Sequence, residues 1–167
     1  MQHDEVTGWF TGRIPDGWFT GAPDVGVDRD EVLVVGSLAA PKVEGGDDAK
    51  RAAAVARAKR FREETREQRV AIAEEAEHRF GRKVSWGVQI AGERYLFTHI
   101  AVPVMTRLRF GEREVLDTLI DGGVARSRSE ALAWCVRLVE QNQKAWIGEL
   151  RDALEHVQRA RAAGPSL

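Results

Sequence analysis

Apolar and polar side chains alternate along residues 83–90, with Val84, Trp86, Val88 and Ile90 falling on one side of an extended chain. Ala91, Gly92 and Glu93 follow as a turn, and 94–101 reads as a returning strand, so the segment predicts a β-hairpin. Upstream, Val32, Leu33, Val34 and Val35 form a short apolar run over 31–36, the pattern of a buried strand, pairing with 24–28 across a turn at Arg29 and Asp30. Between these strands, 47–80 is rich in Ala, Arg and Glu and predicts one long helix, ending at Gly81. Val70, Ala73 and Ala76, with Ile72 and Phe80 nearby, offer its packing face. Residues 39–46, with a proline and paired glycines, read as a linker.

A second alternation runs through 104–110. Val104, Thr106, Leu108 and Phe110 share one face of the expected strand, and Met105, Arg107 and Arg109 share the other. Pro103 suits a strand's first position, because it has no ladder donor to lose. The spacing then changes to three and four: Val115, Leu116, Leu119 and Ile120 predict an amphipathic helix over 112–120, stopped by Gly122 and Gly123. Ser127 with Glu130 three residues on is a capping-box pattern and opens a second helix. Its apolar arc is broad, taking in Leu132, Trp134, Cys135, Val136, Leu138 and Val139, which asks for burial on more than one side. The helix is expected to continue to about residue 162, interrupted only by Gly148, with Trp146, Leu150, Leu154 and Val157 on a buried face.

This order of alternating strand, short helix, glycine stop and capped helix over about 103–141 resembles the ribbon-helix-helix DNA-binding superfamily of the MetJ/Arc/CopG type. The resemblance implies a C-terminal ribbon-helix-helix dimerisation module; with the long C-terminal helix, and with the small N-terminal domain of strand, long helix and hairpin that the residues themselves suggest and that resembles no family, the chain is expected to be α+β. The expected organisation is an acidic, aromatic, loop-rich segment 1–46, a helix-plus-hairpin region 47–102, the ribbon-helix-helix at 103–141 and a helical extension at 142–167. It further implies a homodimeric, sequence-specific transcriptional regulator that lays a two-stranded ribbon into the major groove of double-stranded DNA. Met105, Arg107 and Arg109 match the positions that read base edges, and arginine suits bidentate contact with guanine. Ser127, Arg128 and Ser129, with Arg126 beside them, match the phosphate clamp at the second helix's N-terminus. Two alternatives remain open: a dimeric module binding a protein or small ligand through its aromatic N-terminal domain, and an antitoxin whose C-terminal extension binds its toxin.

Composition narrows the classes. Net charge is −1, so no global basic field marks a sequence-blind DNA coat, although a local basic face is compatible with that balance. The run from Lys50 to Arg62 holds six cations and no acid, and reads either as a solvated helix face or as a DNA-backbone contact. Cys135 is the single cysteine, which excludes an internal disulfide and points to a reducing compartment. With no apolar run long enough for a membrane span and no leader pattern at the first residues, a cytoplasmic, nucleoid-associated protein is expected. His3, His78, His99 and His156 are scattered and no phosphate-cradling glycine loop occurs, so no metal, cofactor or catalytic site is expected. A near-repeat, Gly8-Trp9-Phe10-Thr11-Gly12 and Gly17-Trp18-Phe19-Thr20-Gly21, carries more aromatic area than water tolerates. Trp9 and Trp18 therefore either contact a partner or ligand, or pack on the protein's own sheet or across its dimer.

Overall fold

The computed structural model describes residues 3–163, and the side chain of residue 162 is not described. The chain divides into two compact units, Met1–Pro103 and Val104–Leu167. The first holds helix α1 (His3–Arg13), strands β1 (Asp24–Val27) and β2 (Glu31–Ser37), helices α2 (Asp47–Glu64) and α3 (Arg66–Phe80), and strands β3 (Lys83–Ile90) and β4 (Glu93–Leu96). The strands form one mixed sheet in the order β1-β2-β3-β4. The β1–β2 and β3–β4 pairs are antiparallel, while β2 and β3 run parallel, with Val34 opposite Trp86. A parallel pair needs a long crossover, and α2 with α3 supplies it.

Both predicted tight turns are present. The Asp28 carboxylate accepts hydrogen bonds from the Asp30 and Glu31 N–H groups at 2.8 and 2.7 Å, closing the β1–β2 turn. Ala91 (φ 52°) and Gly92 (φ 85°) both take left-handed backbone between Ile90 and Glu93, the geometry of a two-residue hairpin turn. The returning strand stops at Leu96 rather than at residue 101.

The helices lie on the sheet face lined by Val32, Val34, Val84, Trp86, Val88 and Ile90, all buried. Gly36 belongs to that face too, and the Phe19 ring lies where a Cβ at Gly36 would be. The clash involves the body of the ring, so Gly36→Ala is expected to cost about 1–3 kcal/mol through overpacking. Chemical denaturation of the full chain would read this as a lowered midpoint with unchanged slope.

The N-terminal segment departs from the loop-rich expectation, because residues 3–13 are helical. Val6 and Phe10, one turn apart, are fully buried against the sheet, and that tertiary contact overrides the weak helix propensity of Gly8 and Thr7. The near-repeat therefore adopts two different conformations, its first copy inside α1 and its second in the turn that follows.

The expected long helix is broken at Thr65. The Thr65 hydroxyl donates to the Phe61 carbonyl at 2.6 Å and accepts from Arg69 Nε at 3.0 Å, while Arg69 Nη2 donates to the Arg62 carbonyl at 2.6 Å. Arg69 is buried with its guanidinium 4.9 Å from the Phe97 ring centroid. Desolvation, then the neighbouring Arg62 and Arg66, push its pKa below the ordinary arginine value. The packing stripe of α3 runs through Arg69, Ile72, Ala76 and Phe80, which leaves the expected Val70 half exposed. Of the basic run on α2, Lys59 and Arg60 meet Glu63 and Glu64 one turn on, in exposed pairs of 3.9 and 3.8 Å, as a solvated face would.

Candidate nucleic-acid interface

The second unit contains helices α4 (Phe110–Asp121), α5 (Arg128–Asn142) and α6 (Lys144–Ala162). Its small core is Leu116, Ala125 and Ala131, with Leu108, Leu119, Ile120, Leu132 and Cys135 packed around it. Cys135 is half-buried among these apolar groups.

Residues 98–109 carry no regular secondary structure in the single chain, so the expected strand at 104–110 is absent as a ladder. Phe110 already begins α4, two residues before the expected start. The cause is local: the Glu112 carboxylate reaches back to accept the Arg109 N–H at 2.6 Å, fixing Arg109 as the N-cap with extended backbone (φ −75°, ψ 169°). Arg113 Nη1 donates to the Leu108 carbonyl at 2.6 Å and fastens the segment's end to the same helix. Among the described residues, Arg107 makes no ion pair, and Arg107 and Arg109 are both exposed. Met105 is 98 % exposed, Val104 85 % and Phe110 68 %, so the side expected to face a core is as open as the side expected to face DNA. Leu108 alone of that set enters the unit's core.

The second helix starts where its sequence predicts. Ser127 Oγ accepts the Glu130 N–H at 3.2 Å, and the Glu130 carboxylate accepts the Arg126 N–H at 2.9 Å. Upstream, the Gly122 N–H bonds the Thr118 carbonyl, and Gly123 (φ 75°) turns the chain out of α4.

Arg128 has a partner that local reading missed. Its Nε and Nη2 donate to the two carboxylate oxygens of Asp117 on α4, at 2.8 and 2.7 Å. This fork holds the N-terminus of α5 against α4. The hydrogen bond from Arg128 keeps the Asp117 carboxyl below its ordinary pKa and raises that of Arg128. A depressed carboxylate pKa stabilises the folded chain at pH above its unfolded value of about 3.9, and the contribution is lost as pH falls through the lower folded value. Acid melting curves should therefore lose part of their pH dependence below about pH 4 in Asp117→Asn. Identical acid profiles for the two proteins would count against the fork.

The aromatic candidates lie in the first unit and face inward. Trp9 contacts Phe10 and Phe80 edge-on at 4.9 and 5.5 Å between centroids, and Trp18 contacts Phe61 at 5.5 Å and Trp86 at 6.3 Å. Both are half-buried on the helix–sheet core, the packing alternative to a partner clamp.

Helix α6 also differs from expectation. The break after α5 falls at Gln143 (φ −121°, ψ 25°), and Gly148 lies within α6. The face expected to be buried, Trp146, Leu150, Leu154 and Val157, is exposed. Among the described residues no helix is long and apolar enough to cross a membrane, and no group of three or more His, Cys, Asp or Glu side chains is placed to hold a metal ion.

Comparison with known proteins divides the chain at nearly the same place as its compact units. Residues 4–96 match the family described as Rv1265-like protein, N-terminal domain, and residues 109–161 match the Mb1296 C-terminal domain. Met105 and Arg107 fall between the two matches and Arg109 opens the second. Neither description names a nucleic acid. No solved structure matches the chain. Over 159 residues it is 57 % identical to uncharacterized protein Mb1296 of Mycobacterium bovis and to uncharacterized protein Rv1265 of Mycobacterium tuberculosis. The aligned stretch covers 95 % of this chain and 70 % of each relative, and on that extent of likeness the chain belongs to the Rv1265-like family.

Proposed function

We propose that the second unit is the DNA-reading part of a homodimeric transcriptional regulator of the ribbon-helix-helix kind. Residues 104–109 of two copies would pair as a ribbon and enter the major groove. One observation carries the reading: a segment whose sequence alternates, and which has no ladder partner among the described residues, leads into two helices whose apolar surface is left open. A two-chain ribbon has its ladder partner only in a second copy, and pairing would cover Val104 and Thr106 together. Met105, Arg107 and Arg109 then project on the groove side, the arginines toward guanine and the methionine toward a thymine methyl.

At the phosphate clamp, the tied Arg128 changes the expected division of labour. Its guanidinium is occupied by Asp117, and the Ser127 hydroxyl by the Glu130 N–H. The backbone N–H groups of Arg128 and Ser129, at the positive end of the α5 dipole, become the main phosphate donors, with Arg126 beside them. Such a protein would be found on the nucleoid.

The test is capture of genomic DNA fragments by the purified full chain at near-physiological salt, beside the Arg107→Ala, Arg109→Ala variant. Discrete enriched sites that share a motif and disappear in the variant are the expected result. Background capture by a folded, dimeric wild type would overturn the reading. Binding should also weaken steeply with added salt, since phosphate neutralisation releases counterions.

A further inference from the structure

Among the described residues Arg69 is the only buried side chain that carries a charge, at 7 % exposure, and no carboxylate lies within ion-pair distance of it. Two of its nitrogens are committed, Nε to the Thr65 hydroxyl and Nη2 to the Arg62 carbonyl. Nη1 meets no acceptor among the described residues. It is not sealed in either, because the unpartnered side-chain atoms without solvent access are Ser85 Oγ and Trp86 Nε1. The Phe97 ring lies 4.9 Å from the guanidinium, and the Phe97 N–H, donating to the Trp86 carbonyl at 2.8 Å, anchors that ring at the end of β4. Hydroxyl, carbonyl and ring thus hold the guanidinium in one orientation, with both Nη1 donors unused at the surface.

Arg62, Arg66 and Arg69 follow one another at spacings of four and three, which places them along one side of the helical run. Arg62 and Arg66 are exposed, and neither makes an ion pair among the described residues. Their charges bear on that of Arg69. The nearby acids are directed elsewhere: Glu63 and Glu64 meet Lys59 and Arg60, and Glu67 projects about 100° further round the helix than Arg66. Like charges at this spacing repel, and an unpaired buried guanidinium is costly, so the cluster stands against its own electrostatics. The break between α2 and α3 adds to the field. The Thr65 hydroxyl turns back to the Phe61 carbonyl and caps none of the first N–H groups of α3, so that positive helix end is left without a side-chain acceptor.

We propose that Arg62, Arg66 and Arg69 form a binding site for a doubly charged phosphate group, either inorganic phosphate or the terminal phosphate of a small monoester. Planar guanidinium donors match phosphate oxygens, and Arg69 supplies a preset pair from Nη1 while Arg62 and Arg66 close from the surface. Three positive charges gathered at one spot exceed what a carboxylate or a single backbone diester, each with one negative charge, would balance. The site belongs to the first unit and does not depend on the DNA reading.

The test uses the full chain in phosphate-free buffer. Inorganic phosphate at about 5 mM should raise Tm by mass action, while chloride at matched ionic strength should not. Titration calorimetry should give saturable binding with Kd below about 1 mM. Arg62→Ala with Arg66→Ala removes two exposed side chains and should weaken binding at least about tenfold, with Tm of the free protein unchanged or raised. Arg57→Ala with Arg60→Ala removes the same charge from another side of α2 and should leave affinity unchanged. Adenosine monophosphate bound more tightly than phosphate, with adenosine inert, would assign the group to a monoester, and equal affinity would assign it to free phosphate. Absence of saturable binding would overturn the proposal, as would equal losses in the two double variants. A Tm rise confined to phosphate above about 100 mM is exclusion of the salt from the surface, and would overturn it too. A short DNA duplex held through these arginines, with phosphate inert, would replace it with a backbone contact. Genomic capture without phosphate binding removes only this site, and phosphate binding without capture removes only the regulator reading.

Discussion

On the proposed regulator reading, replacing both Arg107 and Arg109 is expected to abolish specific DNA recognition while leaving the fold intact. Each bidentate arginine–guanine contact contributes about 1–3 kcal/mol of discrimination. Both chains of a dimer carry the Arg107→Ala, Arg109→Ala change, so even the lower figure multiplies to roughly a thousandfold in Kd. Neither side chain makes an ion pair among the described residues, and both are exposed, so stability should change little. Arg128→Ala is predicted to behave differently. It breaks the fork to Asp117 as well as altering the phosphate site, so it should weaken binding evenly across sequences and lower stability together. Fluorescence anisotropy on a captured site, paired with thermal melting of each variant, separates the two patterns. Equal loss of affinity for specific and random DNA in the ribbon variant would show that the ribbon does not read bases.

The second large effect is expected in the first unit. Phe10→Ala should cost about 3–5 kcal/mol, because the ring is fully buried and its removal leaves a cavity beside Trp9 and Trp86. Against a typical domain stability of about 5–15 kcal/mol, that is enough to leave α1 undocked in much of the population. Urea unfolding followed by tryptophan fluorescence would show the loss, since Trp9, Trp18 and Trp86 all report on this core. A shift worth under about 1 kcal/mol would mean that the aromatic near-repeat is not a core element, and would return Trp9 and Trp18 to the surface as candidate partner contacts.

Much of the short-range structure was legible in the residues themselves. The Asp28 turn, the Ala91-Gly92 hairpin, the helix stops at Gly81 and Gly122-Gly123, and the Ser127 cap all stand where their side chains or backbone freedom require. The strands 31–37 and 83–90 follow from their apolar patterns. Of the candidate interface, the two helices and the turn between them were legible, whereas the strand expected at 104–110 is absent as a ladder and the partners were not legible. Nothing near Arg128 in the sequence signals Asp117, eleven positions earlier on another helix.

The sequence by itself determined what depends on neighbours within about four residues: turn chemistry, caps, and the period of each element. Those features follow from steric limits on the backbone and from hydrogen bonds that close over one turn. Only the tertiary structure decided which surfaces are used. Helix α1 exists because Val6 and Phe10 find the sheet, and the long helix breaks at Thr65 because its hydroxyl, Arg69 and the Arg62 carbonyl satisfy one another there. Strand β3 lies parallel to β2 because α2 and α3 carry the chain back over the same face. Periodicity alone marked the α6 stripe as a buried face, yet burial requires a partner surface, and within this chain the stripe has none among the described residues. Hydrophobic burial is non-directional and acts between residues far apart in the chain, so the pattern names the face and only the assembled structure names what covers it.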